Sequence, residues 1–250
     1  MQLASGHPVR HFDRIDSTNA EARRCAEAGE AGPLWLWADE QTGGRGRMGR
    51  NWVSRPGNLY ATYLFSTSAT PAMASQLSFV AALAVHDMAR ALCPELTALI
   101  KWPNDVLIEG AKFCGILAEV VAAAPTRIAL GCGVNVAHSP QGTPYPVTQL
   151  GSHLTVESVL QELDSSLSNR LEIWDEGRGF AAVREAWISR ALGIGGQICV
   201  RNGQARIEGL FAGLAADGGL VVCQSDGREV ILHSGDVTFA ELERLRSRTV

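Results

Sequence analysis

The segment at residues 43–52, GGRGRMGRNW, holds four glycines and three arginines in ten positions. Glycine is a poor helix former, so a stretch this rich in it predicts a loop. The runs on either side, LWLWAD (34–39) and NLYATYLF (58–65), are apolar and aromatic and predict strands. The fold must therefore accommodate a long glycine-rich connection between two strands, which excludes topologies that need a helix at this point.

Two phosphate-binding motifs overlap this segment, and neither has the context it requires. Gly44, Gly46 and Gly49 match the GxGxxG dinucleotide fingerprint, which needs a helix directly after the last glycine. Gly44 and Gly49 also have the spacing of a P-loop, but Arg50 and Asn51 stand where a lysine and a serine or threonine belong. A proline–glycine turn and a predicted strand follow, so both motifs are rejected.

The arginines of the segment have two interpretations. Arg45, Arg47 and Arg50 either keep a solvated loop soluble or bind an anion, in a chain whose formal net charge is -4. Arginine offers bidentate donors to phosphate or carboxylate. Each charge-assisted bond contributes ~1.5–3 kcal/mol, whereas ordering the loop costs ~1–2 kcal/mol per residue. The segment is therefore expected to close only on a multiply charged ligand.

Composition limits the remaining classes. The chain has 250 residues, 46% hydrophobic and 19% charged, which suits one large domain or a large one with a small one. Its mild acidity argues against coating nucleic acid by charge. We expect a cytoplasmic protein, because the N-terminus lacks signal-peptide features and no run of 18 apolar residues occurs. The six cysteines form no CxxC pair and the histidines lack ligand spacing, so no metal site is predicted.

The periodicity predicts an α+β fold. Thr18 and Glu21 have capping-box spacing at the start of the first helix, and Gly29 stands where a C-terminal cap belongs. A loop is predicted at 137–152. The predicted helices are 17–29, 71–93, 155–177 and 180–192, and the further predicted strands are 98–102, 105–110, 113–122 and 127–136.

The C-terminal part has a different texture. Short apolar runs from residue 195 onward are separated by Asn202-Gly203, Asp217-Gly218 and Asp226-Gly227, which are hairpin signals. We therefore predict two domains, a mixed-sheet domain at 1–193 and a small barrel-like β domain at 194–250.

A second polar constellation, KWPND (101–105), lies between two predicted strands. Its proline fixes a turn that is surrounded by Lys101, Asn104 and Asp105. The group is either an ordinary polar turn or a strand-end site, at which Asp105 handles a proton or a metal-bound phosphate and Lys101 supplies counter-charge.

Two further strands carry polar residues next to glycines. In KFCGILAE (112–119), Lys112 either reaches solvent or points into a cleft, where Gly115 leaves a ligand room to approach the backbone. In GCGVN (131–135), Asn135 either satisfies a turn or hydrogen-bonds the edge of a base.

Taken in order, these segments resemble the biotin–protein ligases over about residues 12–136. They are STNAEA (17–22), EQTGGRGRMGRNW (40–52), KWPND (101–105), KFCGILAE (112–119) and GCGVN (131–135). The resemblance implies a mixed α/β catalytic domain related to lipoate ligases, followed by an SH3-like C-terminal domain. Met48 departs from it, because relatives often have an arginine there.

The resemblance also implies an activity. The enzyme would join biotin to ATP, forming biotinyl-5′-AMP and pyrophosphate, and then pass biotin to one lysine of a biotin carboxyl carrier protein. Mg²⁺ would accompany the triphosphate without dedicated protein ligands. Only about sixteen residues precede Ser17, too few for a helix-turn-helix, so DNA binding is not expected. The oligomeric state stays open, a homodimer included.

The resemblance assigns roles to individual residues. Lys112 would contact the bridging carboxyl and phosphate oxygens, Arg47 would grip the anions, and Asp105 would accept the proton of the carrier lysine; these three are the expected catalytic residues. The expected biotin-binding residues are Ser17, Thr18, Asn19, Gln41, Gly44, Arg45, Gly46, Arg47, Lys112 and Gly115. The expected ATP-binding residues are Arg45, Arg47, Trp52, Asn104, Lys112 and Asn135.

Two alternatives remain open beside this reading. A lipoate or octanoate transferase on the same fold would differ in the acid that stimulates pyrophosphate exchange with ATP. A non-enzymatic relative would bind biotin or a carrier without turnover, although the presence of Arg45, Arg47, Asp105 and Lys112 argues against it.

Overall fold

A seven-stranded sheet forms the larger part of the protein, and a computed structural model describes residues 3–239. Residues 1–2 and 240–250, which belong to the two predicted domain ranges, lie outside the described residues. The strands of this sheet are β1 (Val9–Ile15), β2 (Leu34–Gln41), β3 (Leu59–Thr67), β4 (Ala98–Lys101), β5 (Asp105–Ile108), β6 (Ala111–Ala123) and β7 (Thr126–Val134). The helices are α1 (Thr18–Glu27), α2 (Leu77–Leu92), α3 (Val156–Trp174) and α4 (Phe180–Ile188).

The sheet is mixed, as an α+β fold requires. Its order is β1-β2-β3-β7-β6-β5-β4, with β1 parallel to β2 and every other neighbouring pair antiparallel. Six of these strands agree with the predictions, but β1 was missed. It is an edge strand whose sequence, VRHFDRI, is largely exposed and charged, so no apolar periodicity marks it.

The start of α1 differs from the predicted capping box. Ser17, not Thr18, is the N-cap, and its hydroxyl accepts from the backbone N–H of Ala20. Thr18 is already helical, and its side chain bonds elsewhere. At the other end the prediction is confirmed: Gly29 has φ +96° and donates to Ala26, which closes the helix.

Helix α2 is the core helix. The predicted helix at 71–93 begins instead with a 3₁₀ segment, Pro71–Gln76, and becomes α-helical at Leu77. Residues 71–92 are long and apolar enough to cross a membrane by length and composition. However, 61% of the apolar 18-residue stretch within them is buried inside the protein. Phe79 of α2 meets the rings of Phe180 and Trp187 of α4 edge-on. The apolar composition of α2 is therefore used in internal packing.

A second, five-stranded antiparallel sheet follows α4, in the order β11-β10-β9-β8-β12. Asp217-Gly218 and Asp226-Gly227 lie between consecutive strands as predicted, and Asn202-Gly203 spans the end of one strand and the start of the next turn. The sheet is not closed, so the predicted SH3-like barrel is not confirmed, and the boundary at residue 193 stays a prediction. The strands are β8 (Gln197–Asn202), β9 (Ala205–Leu214), β10 (Leu220–Cys223), β11 (Glu229–Leu232) and β12 (Asp236–Phe239).

Candidate active site

A cavity of about 480 Å³ opens over the middle of the large sheet. Its floor comes from β3, β6 and β7, and its walls come from the start of α1, the glycine–arginine segment (residues 43–52), the turn at 101–105, residues 144–146 and β12. All but two of the predicted site residues line it: Ser17, Thr18, Asn19, Gln41, Arg45, Gly46, Arg47, Trp52, Asn104, Asp105, Lys112 and Gly115. The motifs that are scattered along the chain therefore meet in one place.

Gly44 and Asn135 do not line this cavity. A Cβ on Gly44 would lie 2.7 Å from the carbonyl oxygen of Trp52, so glycine lets the segment fold back on itself at this point. The buried Asn135 amide donates to the carbonyl of Thr148 at 3.0 Å. This bond ties Asn135 to the predicted loop at 137–152, and the expected contact of Asn135 with adenine stays a prediction.

One end of the cavity is a continuous hydrogen-bond network. Gln41 Oε1 accepts from the backbone N–H and the hydroxyl of Thr18, at 2.9 and 3.1 Å, and Gln41 Nε2 donates to the hydroxyl of Ser54 at 3.0 Å. Asn19 Nδ2 donates to Glu119 at 2.7 Å. These groups present alternating donors and acceptors, which suits a ligand that is polar on all edges.

Thr62 of β3 completes this network and was missed by the sequence reasoning. Its fully buried hydroxyl lies 2.8 Å from the hydroxyl of Thr18 and 2.7 Å from Asn19 Oδ1. The only signal in the sequence is a threonine inside the apolar and aromatic run NLYATYLF. Such a residue needs internal partners because it has lost water, and the start of α1 supplies them.

Three glycines make the floor of the cavity flat. A Cβ on Gly133 would lie 2.5 Å from the Trp52 ring, and one on Gly115 would lie 2.8 Å from the same ring. A Cβ on Gly131 would lie 2.2 Å from Asn19 Oδ1. The Trp52 ring lies over Gly115 in this structure. That Gly115 leaves a ligand room to approach the backbone therefore stays a prediction.

Replacing Gly131 by alanine is expected to weaken the binding of the ligand at the polar end. The new methyl group displaces the amide of Asn19 and breaks its contact with Thr62, and one lost hydrogen bond of about 1–1.5 kcal/mol corresponds to about tenfold in affinity. Calorimetry with biotin measures the change. The matched control is Gly43→Ala, at a glycine that does not line the cavity, where the nearest atom to the added Cβ is the Asp16 carbonyl oxygen at 3.4 Å. An unchanged affinity in Gly131→Ala would remove Asn19 from the binding site.

Lys112 stands at the centre of the opposite end. Its Nζ lies 2.7 Å from Asp105 Oδ1, 5.2 Å from the centroid of the Trp52 ring and 5.6 Å from that of Tyr145. Its backbone is anchored on the other side by a bond from its N–H to the carbonyl of Pro146 at 2.9 Å. Neither Tyr145 nor the β12 residues were expected here from the sequence.

Arg47 reaches the same end of the cavity from the glycine–arginine segment. Its guanidinium donates to Asn104 Oδ1 at 3.2 Å, and Asn104 Nδ2 donates in turn to the carbonyl of Ile116 at 2.7 Å. Burial lowers the pKa of Arg47, and the carboxylates of Asp105 and Asp236 act in the opposite direction. An arginine remains charged at neutral pH, so a partly desolvated cation faces the cavity.

The thiols and the remaining titratable cluster have no place in this chemistry. Cys132 lines the cavity, but burial raises its pKa to about 12, so it stays a neutral thiol. His11, Asp13 and Asp39 hold their ligand atoms within 4.8 Å of one another, yet His11 and Asp13 are exposed and none of the three lines the cavity.

The fold and this cavity define a class of acyl-activating ligases. Residues 11–135 match the family model of the biotin/lipoate A/B protein ligase family, and the chain belongs to that family. It is 39% identical to the biotin–[acetyl-CoA-carboxylase] ligase of Paracoccus denitrificans, over 87% of this chain and 95% of that one. It is 32% identical to the ligase of the same name from Mycobacterium tuberculosis, over 94% and 91%.

A solved structure gives the same answer. The biotin protein ligase from Aquifex aeolicus in complex with biotin and ATP is similar to this chain with a TM-score of 0.79 and 26% identity, over 93% of this chain and 99% of that one. The resemblance to biotin–protein ligases is therefore confirmed, and the mixed α+β architecture with it.

Proposed function

We propose that this protein joins biotin to ATP, giving biotinyl-5′-AMP and pyrophosphate, and then transfers biotin to one lysine of a biotin carboxyl carrier protein. The observation that carries the proposal is the layout of the cavity. A hydrogen-bonding end at Thr18 and Gln41 lies across a glycine floor from a cationic end at Arg47 and Lys112. The names of the most similar relatives support the same activity.

The first step joins two anions. A carboxylate oxygen of biotin attacks the α-phosphorus of ATP, an acyl–oxygen–phosphorus bond forms, and the bond to the β-phosphate breaks, releasing pyrophosphate. Arg45, Arg47 and Lys112 supply the positive charge that lets these anions approach. The low local dielectric strengthens each of these contacts relative to water.

The cavity orients biotin along its length. The ureido ring lies at the polar end formed by Ser17, Thr18, Asn19 and Gln41, whose groups match its donors and acceptors. The aliphatic chain runs over the glycine floor towards Lys112. Gly115 belongs to this floor, and Trp52 must move off it to admit the chain.

The second step is an acyl transfer. The ε-amine of the carrier lysine attacks the acyl carbon, an amide forms, AMP leaves, and the amine loses one proton. Asp105 accepts that proton in our proposal, because its carboxylate lies 2.7 Å from Lys112 Nζ, the group that we assign to the reacting oxygens. A route through an enzyme thioester is not favoured, since the cavity thiol, Cys132, stays protonated.

The residues that bind the nucleotide are assigned from the resemblance of the sequence motifs to those of biotin–protein ligases. Trp52 stacks on the adenine, while Asn104 and Asn135 serve the nucleotide. Mg²⁺ would accompany the triphosphate. Among the described residues, the carboxylates that line the cavity are Asp105 and Asp236, and both pair with cations, so the phosphates and water would hold the ion.

The remaining proposals concern the setting of the enzyme. The open five-stranded sheet corresponds to the SH3-like domain of relatives, with a boundary near residue 193. The protein acts in the cytoplasm, on a carrier protein rather than on DNA, and a homodimer is a candidate assembly.

The test is ATP-dependent transfer of labelled biotin to a carrier domain. Wild-type protein should biotinylate one lysine of the carrier and exchange pyrophosphate into ATP only when biotin is present. Lipoate and octanoate are run in parallel. Exchange stimulated by either acid instead of biotin would replace this proposal by the transferase reading. Biotin binding in the calorimeter without exchange would leave a binding protein.

A further inference from the structure

An ion pair joins the glycine–arginine segment to the second sheet. The guanidinium of Arg50 donates to Asp236 Oδ2, and Asp236 is the first residue of β12. The two residues are 186 positions apart in the chain. Both line the cavity, so the contact forms part of its wall.

The cations around Asp236 all favour its ionised form. The hydrogen bond from Arg50 holds the pKa of Asp236 below its usual range, and the nearby charges of Arg47 and Lys101 act in the same direction. Lys101 also lies over the ring of Phe239, at 6.0 Å from the centroid. A carboxylate of the second sheet thus stands among three cations of the catalytic sheet and its loop.

The tip of the segment, at Met48, is exposed and has an unfavourable backbone conformation. Met48 has φ +57°, a conformation that residues other than glycine rarely adopt, and the residue is 74% exposed. Two arginines tie this tip to other elements, Arg47 to Asn104 and Arg50 to Asp236. The first bond is to the large sheet, and the second is to the small one.

We infer that Asp236 is a positioning residue that holds the glycine–arginine segment closed over the cavity through Arg50. The inference rests on the proposed function, and it makes retention of the reactive adenylate dependent on the second sheet. Opening of the segment breaks the pair, and the adenylate leaves or meets water. The carboxylate itself touches neither biotin nor the nucleotide.

A competing role predicts the opposite effect. If Asp236 merely occupied Arg50 until the triphosphate displaced it, removal of the carboxylate would free a cation for ATP and lower the KM for ATP. A closing contact predicts no such gain and a faster loss of adenylate. The two roles are therefore separated by the direction of the change.

The experiment measures release of biotinyl-5′-AMP. Protein is loaded with labelled biotin and ATP, excess unlabelled biotin is added, and retained label is followed over time. Asp236→Asn should release adenylate about three- to fivefold faster, the scale expected for a half-exposed ion pair. Biotin affinity should not change. Asp236→Glu keeps the carboxylate and should restore at least part of the retention.

Two further variants make the test specific. Glu208→Gln removes an exposed carboxylate that pairs with Arg206 on β9 of the same sheet, and it should leave the release rate unchanged. Arg50→Gln combined with Asp236→Asn should release adenylate no faster than the faster of the two single variants, because they break one contact. Arg50→Gln also tests the pair without altering the second sheet.

The outcomes are distinct. Additive effects of the two substitutions, a release rate equal to wild type, or a lower KM for ATP in Asp236→Asn would each overturn the inference. If wild-type protein forms no adenylate from biotin, the proposed function itself has failed, and the variants are not needed to show it.

Discussion

Replacement of Lys112 by alanine is expected to lower biotin-dependent exchange of pyrophosphate into ATP by about 100- to 1000-fold, the range seen when a preorganised donor to a developing charge is removed. Lys112 Nζ is held by Asp105 and by the rings of Trp52 and Tyr145, so it needs little reorganisation to meet the reacting oxygens. Exchange is measured at saturating biotin, so that weaker binding does not imitate a slower reaction.

The control for Lys112→Ala separates charge from placement. Lys112→Arg keeps the charge but replaces the compact ammonium by a longer, planar guanidinium whose donors lie elsewhere, and it should recover only a small part of the rate. Near-normal exchange in Lys112→Ala would remove the residue from the mechanism. A full recovery in Lys112→Arg would reduce its role to a general positive potential.

Replacement of Arg47 by glycine is expected to slow adenylate formation without abolishing it, because Arg45 and Lys112 remain, and to release the adenylate about 10- to 100-fold faster. The substitution removes charge-assisted bonds of ~1.5–3 kcal/mol and the tie between the segment and Asn104. Labelled biotin should then appear on bystander proteins as well as on the carrier, because the mixed anhydride reacts with any free amine it meets.

Arg55→Gly is the matched control for Arg47→Gly. Arg55 is exposed, follows the segment closely and does not line the cavity, so the same change of side chain there should not affect retention. If Arg47→Gly kept its adenylate as well as wild type, the segment would not act as a lid over the intermediate.

The sequence predicted the parts of this site that depend on local motifs. The glycine-rich segment between two strands, the KWPND turn and Lys112 next to a glycine-bearing strand all meet at the cavity. They could be found because each motif combines residues that rarely occur together at that spacing for structural reasons alone. The turn dipeptides after residue 195 were found for the same reason, since asparagine or aspartate before glycine selects a small set of backbone conformations.

The parts that escaped depend on long-range packing. The Thr62 hydroxyl matters only because the start of α1 packs against β3, and nothing within β3 itself reveals that. The helix cap was predicted at Thr18 but lies at Ser17. Either hydroxyl can cap a helix, and tertiary contacts decide which one does. Asp236 reaches the cavity because the second sheet folds back on the first, which no local pattern encodes.

The placement of the amines has a further consequence. Lys101 and Lys112 are the two lysines of the chain, and both line the cavity. Every other basic side chain that is charged at neutral pH is an arginine, whose guanidinium is a poor acyl acceptor. An enzyme that makes an activated acyl group therefore has almost no lysine amine outside the cavity that this group can acylate. Adenylate that escapes is hydrolysed by water or acylates the amines of other proteins, and the enzyme itself is rarely acylated.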